Sequence, residues 1–151
     1  MKDDRSPPLS RTLPGTWRLL SRIDIAANGE RRVDPSLGED PVAILFYDRS
    51  GNFAAQFMKR DRSGNADAGA GPAKNNSRAK DGYDAYFGSY TIDDAAGTVT
   101  QKLAGALSKE NVGQVLTREM KVEGDQLTIE LETTSSEGDP VRRTLRWARV
   151  G

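Results

Sequence analysis

The sequence predicts an all-β protein, an eight-stranded antiparallel up-and-down β-barrel with one long flexible loop at about residues 61–80. Short runs of alternating apolar and polar residues recur along the chain, and turn residues separate them. No segment has the pattern of a long helix. Eight antiparallel strands are enough to close a sheet around one small ligand. Strand spacing alone leaves a β-sandwich as the alternative.

The first predicted strand begins after the turn residues Pro14 and Gly15. Strict alternation of side chains divides it into two faces. One face carries Trp17, Leu19, Ser21 and Ile23, and the other carries Thr16, Arg18, Leu20 and Arg22.

The other seven strands are predicted from hydrophobic patterning and from the turns between them. They lie at 41–47, 53–60, 86–92, 98–103, 113–122, 126–134 and 141–150. Short loops rich in Gly, Asn and Asp connect most neighbours, which favours antiparallel hairpins. The segment 61–80 differs because it contains no Val, Ile, Leu, Met or aromatic residue. It cannot bury itself, so we expect a surface loop there.

Length and composition predict one domain at 13–150 after a disordered N-terminal lead-in at 1–12. Lys and Arg number 22 and Asp and Glu number 22, a balance that argues against a nucleic-acid or anionic-membrane partner. No apolar run approaches the roughly 18 residues of a membrane span. The start of the chain lacks the apolar stretch of a secretory signal, and cysteine is absent. We therefore expect a cytoplasmic protein, whose oligomeric state the sequence leaves open.

The chain contains no histidine and no cysteine. This excludes a Ser-His triad, a histidine proton shuttle, thiolate chemistry and the usual zinc sites. Carboxylate sites for hard cations remain chemically possible, but no Asp-x-Asp-x-Asp loop is present. The sequence therefore predicts neither a metal nor a cofactor.

Several blocks, in this order and spacing, resemble the bacterial and fungal lipocalin-like domain family. The blocks are Gly15–Leu19, Leu45–Tyr47 with Gly51, Tyr86–Asp93, Gly97–Thr100, Gly105–Leu107, Val112–Gly113, Arg118, Asp125–Thr128 and Leu145–Trp147. The resemblance runs from about Leu13 to Arg149 and implies a barrel with a ligand-sized interior. It also implies that Trp17 closes one end of the barrel with Arg149 stacked on it. The chain departs from the family at Gln101, where relatives commonly carry His, so a His-dependent activity is not expected.

Ligand contacts in such a barrel would come from polar side chains on apolar strand faces. Arg118 is the first candidate because it shares strand parity with Leu116 and Met120, and a buried guanidinium needs an anionic or carbonyl partner. Tyr86 and Tyr90 share a face with Gly88 between them, which would leave room for a bound group. The weaker candidates are Tyr47, Gln56 and Gln101. For each, an outward-facing or purely structural role is the alternative.

The leading hypothesis is a barrel that binds a small, largely apolar molecule with a polar or acidic end. Trp17 would close its base, and residues 61–80 would gate its mouth. The alternative is a cofactor-independent isomerase or cyclase acting on a polyketide- or terpenoid-like substrate. For it the sequence offers no clear general base, since Asp81 and Asp84 are predicted to lie in a loop. A third hypothesis is an interaction module whose barrel is filled by its own side chains.

Overall fold

The computed structural model describes residues 7–63, 79–135 and 138–151. Most of the predicted loop at 61–80, and its predicted role as a gate, therefore lie outside the described residues. The same holds for the first six residues of the predicted lead-in.

The described residues form nine β-strands with a short helix at each of two places. The strands are β1 Gly15–Ala26, β2 Arg31–Arg32, β3 Val42–Tyr47, β4 Asn52–Met58, β5 Tyr83–Asp93, β6 Thr98–Ala106, β7 Val115–Glu123, β8 Gln126–Thr134 and β9 Pro140–Arg149. Helix α1 spans Leu9–Thr12, and a 3₁₀-helix spans Lys109–Asn111.

Eight of these strands close into a barrel. From β3 to β9 each strand pairs with the next in antiparallel register, and β3 also pairs with β1. The barrel closes because β1 also pairs with β9, from Trp17 opposite Arg149 to Ala26 opposite Val141. Among the strands of the described residues, the two-residue β2 pairs only with the end of β1. The predicted eight-stranded antiparallel barrel is confirmed.

Helix α1 packs at one end of the barrel, which we call the base. Leu9 and Leu13 are buried there, and the indole nitrogen of Trp17 donates a hydrogen bond to the carbonyl of Leu13 at 3.0 Å. The Arg149 guanidinium stacks on the Trp17 ring, 4.3 Å from its centroid, as the family resemblance implied. The prediction of a disordered lead-in is wrong for Leu9–Thr12, because burial of Leu9 anchors this turn of helix.

A β-bulge at Leu20 changes which residues of β1 point inward. Leu19 pairs with Trp147 and Ser21 with Arg146, so Leu20 is the additional residue. Before the bulge the odd-numbered residues point inward, and after it the even-numbered ones do. Arg22 and Asp24 are therefore buried, contrary to the predicted faces of this strand.

None of the helices in the described part of the chain reaches the length and apolarity that a membrane span requires.

Candidate functional site

A cavity occupies the barrel interior between its open end, the mouth, and the base. It encloses about 560 Å³ of empty space when the opening to solvent is included, and the centre of a water-sized molecule has about 50 Å³ available to it. The apolar wall is formed by Leu37, Leu45, Phe57, Met120, Ile129, Leu131, Leu145 and Trp147. The polar lining is formed by Arg22, Tyr47, Asp84, Tyr86, Gln101, Arg118 and Arg143. The cavity lining thus combines apolar side chains with charged and hydrogen-bonding ones.

Two buried ion pairs lie at the mouth. Arg143 on β9 donates to both carboxylate oxygens of Asp24 on β1, at 2.7 and 2.9 Å. Arg22 donates to Asp34 at 3.1 Å, and Arg143 lies 3.7 Å from the same Asp34 oxygen. The nearby guanidinium of Arg22 and hydrogen bonds from Ser36 together hold the pKa of Asp34 below its usual range, against the opposing effect of burial.

The segment that carries Asp34 covers the mouth. Asp34 accepts hydrogen bonds from the backbone nitrogen and hydroxyl of Ser36, at 2.9 and 2.6 Å, which fixes a tight turn. The next residue, Leu37, is buried and lines the cavity. The ion pair between Arg22 and Asp34 thus fixes the turn from which Leu37 reaches the cavity lining.

Asp84 is a third carboxyl group at the mouth, and it differs from Asp24 and Asp34. It is only 2 % exposed and lines the cavity. Within the described ranges no cation lies at ion-pair distance from it, and its hydrogen-bond donor is the backbone nitrogen of Ala85, at 3.0 Å. Burial raises the pKa of Asp84 to about 7, with the positive charge of Arg22 opposing the rise. A carboxyl in this state can either accept or release a proton near neutral pH.

Tyr86 follows Asp84 on the same face of β5, deeper in the cavity. In the described part of the chain its hydroxyl has no hydrogen-bond partner. Burial and the neighbouring charge of Asp84 raise the pKa of Tyr86 to about 12, so the phenol is a neutral hydrogen-bond donor. Arg118 interacts electrostatically with this phenol, and burial lowers the pKa of its guanidinium.

Tyr47 and Gln101 form the floor of the cavity with Met120. The amide nitrogen of Gln101 donates to the Tyr47 hydroxyl at 2.6 Å, and that hydroxyl lies 3.9 Å from the Met120 sulfur. Burial raises the pKa of Tyr47. The structure therefore brings four predicted residues, Arg118, Tyr86, Tyr47 and Gln101, to one cavity.

Two predicted site residues lie elsewhere. Gln56 is exposed on the outer surface because its neighbours Ala55 and Phe57 point inward, and its side-chain oxygen accepts a hydrogen bond from Tyr83 at 2.8 Å. Tyr90 contacts the Tyr47 ring, with centroids 4.9 Å apart. Its hydroxyl, however, donates to a backbone carbonyl at the base, and Tyr90 does not line the cavity.

Gly88 does not provide room for a ligand. A second bulge, at Ala104, pairs Phe87 with Gly105 and Gly88 with Leu103. An added Cβ at Gly88 would lie 1.8 Å from the backbone oxygen of Lys102. The glycine is required by the close approach of two backbones, so the predicted space beside it is wrong.

Sequence reasoning missed the charged residues at the mouth. Arg143 shares strand parity with Leu145 and Trp147, so its inward direction was visible in the sequence. Asp84 has the same strand parity as Tyr86. Extending the predicted strand 86–92 by two residues toward the N-terminus would have included it. Arg22 gave no such signal, because the bulge at Leu20 reverses its face.

In the described residues, no three Asp or Glu side chains cluster as a metal site.

Comparison with known proteins agrees with this architecture. No curated protein matches the chain. The model of a family described as lipocalin-like domain matches residues 14–150, almost the whole sequence and all eight strands of the barrel. The chain therefore belongs to the lipocalin-like domain family.

Proposed function

We propose that this protein binds a small, largely apolar molecule with a polar or acidic end inside its barrel. The observation that carries the proposal is the composition of the cavity, whose lining combines apolar side chains with Arg118, Tyr86 and the mouth charges. Ligand sites commonly combine an apolar lining with a few placed polar groups. The lipocalin-like fold, whose barrel is consistent with binding a small hydrophobic molecule, supports the same function.

Arg118 is the group that would select an acidic end. Its side chain projects from a strand face that it shares with buried Leu116 and Met120. A positive charge removed from water is stabilised by an anion more strongly than a charge at the surface is. The phenol of Tyr86 would donate a hydrogen bond to the same ligand group.

The aromatic side chains of the cavity lining favour a flat aromatic ligand. An edge-to-face contact between Phe57 and Trp147, with centroids 5.8 Å apart, borders the apolar side. Aromatic rings of a ligand can make further edge-to-face or offset-stacked contacts with these side chains. A two-ring carboxylate is therefore a suitable probe for the site.

The test uses 2-naphthoate and its uncharged isostere 2-naphthamide, with affinities measured by calorimetry. We expect Arg118→Met to weaken 2-naphthoate binding about tenfold or more, and 2-naphthamide binding much less. The control is Arg142→Met, which removes an Arg from the outer surface. Equal weakening of both probes by Arg118→Met, or no binding of either by the wild type, would contradict the proposal. Native mass spectrometry of gently purified protein would show a co-purified natural ligand as excess mass.

A cofactor-independent isomerase or cyclase acting on a polyketide- or terpenoid-like substrate is the second candidate function. The observation that favours it is Asp84, a buried carboxyl beside a phenol and a guanidinium in one cavity. If Arg118→Ala abolishes turnover of a substrate at unchanged affinity, the enzyme is supported. Parallel loss of affinity and turnover supports binding alone. The hypothesis of a barrel filled by its own side chains predicts no pocket large enough for a ligand, and binding of neither naphthalene probe would support it.

A further inference from the structure

The mouth of the barrel holds three carboxyl groups, of which two have a clear structural role. Asp24 and Asp34 are paired with Arg143 and Arg22 and hold the barrel seam and the mouth segment. Asp84 is buried as deeply as Asp24 but accepts its hydrogen bond from a backbone nitrogen and has no cation at ion-pair distance among the described residues. Burying a carboxyl in this way is costly. A structural role alone does not account for the cost.

The position of Asp84 relative to Tyr86 suggests what the carboxyl does. The two residues are separated by one position on β5, so their Cα atoms are about 7 Å apart and their side chains share a face. Both line the cavity, and the Tyr86 phenol is influenced by the charges of Asp84 and Arg118. A flat ligand could thus contact a proton acceptor at one atom and hydrogen-bond donors at another.

We propose that Asp84 is a proton-transfer group and that the cavity takes an enolisable carbonyl compound, a flat and largely apolar ketone with an acidic C–H beside its carbonyl. This inference rests on the proposed function, because the ketone must first bind with its carbonyl toward Tyr86 and Arg118. It adds an activity and a substrate class to that function.

The step balances without a cofactor. The Asp84 carboxylate removes a proton from the carbon beside the carbonyl, and the electrons of the broken C–H bond form the C=C bond of an enolate. The carbonyl oxygen takes up the negative charge, which the Tyr86 O–H and the Arg118 guanidinium stabilise. The resulting Asp84 carboxylic acid returns the proton to the same carbon, or to the far end of a conjugated system. The first outcome is hydrogen exchange when the Asp84 O–H has exchanged its proton with solvent before the return, and the second is isomerisation.

The groups around Asp84 are compatible with proton transfer near neutral pH. Arg22 on β1 and Asp34 in the mouth segment act on it in opposite directions, and Tyr86 is its neighbour on β5. Phe57, opposite Asp84 on β4, carries no charge. Arg143 on β9 faces the same region but is paired with Asp24. Because burial outweighs these charges, the pKa of Asp84 rises to about 7, where a base can both take and return a proton.

The experiment measures exchange of the C1 hydrogens of 2-tetralone, a flat bicyclic ketone, for deuterium in D₂O by ¹H NMR. Binding of 2-tetralone is followed in the same samples by saturation transfer from protein to ligand. The wild-type protein is compared with Asp84→Asn, with Tyr86→Phe and with the control Asp81→Asn. Asp81 is exposed, three residues earlier, and has a positive φ of 51° that asparagine tolerates well.

We expect the wild type and Asp81→Asn to accelerate exchange above buffer, and Asp84→Asn to reduce the acceleration at least about 100-fold while 2-tetralone still binds. Tyr86→Phe should reduce the acceleration of exchange about tenfold or more.

In the wild type the exchange rate should rise between pH 5 and pH 8 with a midpoint near 7, as the Asp84 carboxylate forms. This profile tests the inference even if Asp84→Asn does not fold. Binding of 2-tetralone without faster exchange would overturn the inference and leave the proposed function intact. Absence of 2-tetralone binding would also overturn the inference, and the naphthalene probes decide separately whether the proposed function stands.

Discussion

Arg143 and Asp24 are direct cross-strand partners at the seam where β9 meets β1, and the guanidinium holds the carboxylate through two hydrogen bonds. Both side chains are at most 5 % exposed. The geometry is the bidentate one that arginine favours with carboxylates. The pair lies at the mouth, so it joins the last strand to the first beside the cavity.

Removing one partner of this pair should strongly destabilise the barrel. We expect Asp24→Ala to lower the free energy of unfolding by about 3 kcal/mol, because the buried Arg143 guanidinium loses its bidentate partner and keeps the longer contact with Asp34 at 3.7 Å. Urea denaturation measures the effect. The control is Glu130→Ala, which removes an exposed partner of Arg142 on the outer surface and should cost less than about 1 kcal/mol. Similar costs for the two variants would show that the Asp24 pair is not a main support of the seam.

Asp84 should make the stability of the protein depend on pH in the direction opposite to that of a paired carboxylate. Its pKa is about 7 in the folded protein and near its ordinary value of 3.8 when unfolded. Between these values the folded state binds more protons than the unfolded state, so this contribution to stability falls as pH rises. The full difference corresponds to about 4 kcal/mol as an upper limit.

The measurement compares wild type with Asp84→Asn by chemical denaturation at pH 4 and at pH 8. The variant should gain stability relative to wild type as pH increases, by a few kcal/mol, because it carries no charge to desolvate. Taking the difference between the two proteins removes the contributions of the other carboxyl groups. A constant difference across this range would mean that the pKa of Asp84 is not raised.

The strand pattern of the sequence was sufficient for the barrel and for part of the site. Arg118, Tyr47 and Gln101 were found because each sits on a strand where buried apolar residues recur at every second position. Gln56 was assigned to the wrong face of its strand. Its sequence neighbours are apolar on both sides, so the two-residue repeat did not show which side chains point inward. Tyr90 was placed on the correct face but at the wrong depth, since parity carries no information about height along the barrel axis.

The two β-bulges account for the other residues whose faces the strand pattern predicted wrongly. Each inserts one residue and reverses the faces beyond it, and neither Leu20 nor Ala104 has a sequence feature that marks it. The reversal after Leu20 converts Arg22 and Asp24 from predicted surface residues into part of the mouth cluster. The charged residues of the first predicted strand do not by themselves reveal the reversal. They indicate it only once a distant partner is known, as Arg143 is for Asp24.

The contact of Arg149 with Trp17 should contribute measurably to stability. The guanidinium stacks on the indole and also donates to the carbonyl oxygens of Pro14 and Thr12. We expect Arg149→Ala to lower the free energy of unfolding by about 2 kcal/mol, since a cation–π contact and two hydrogen bonds are lost together. Arg149→Lys should recover only part of the loss, because an ammonium group keeps the charge but cannot stack as a plane. Full recovery by lysine would indicate that charge alone matters at this position.

Two neighbouring glycines offer a matched test of the second bulge. A Cβ at Gly88 would lie 1.8 Å from the Lys102 backbone oxygen, which cannot move without breaking the pairing of β5 with β6. A Cβ at Gly105 would lie 2.4 Å from the Phe87 ring, which is 56 % exposed and free to rotate toward solvent. We expect Gly88→Ala to cost about 3 kcal/mol or more and Gly105→Ala about 1 kcal/mol, measured by thermal and urea unfolding. Equal costs would contradict the assignment of Gly88 as a close backbone contact.

Because Gly88 lies between Tyr86 and Tyr90, its replacement should also weaken binding of the naphthalene probes by moving the Tyr86 phenol.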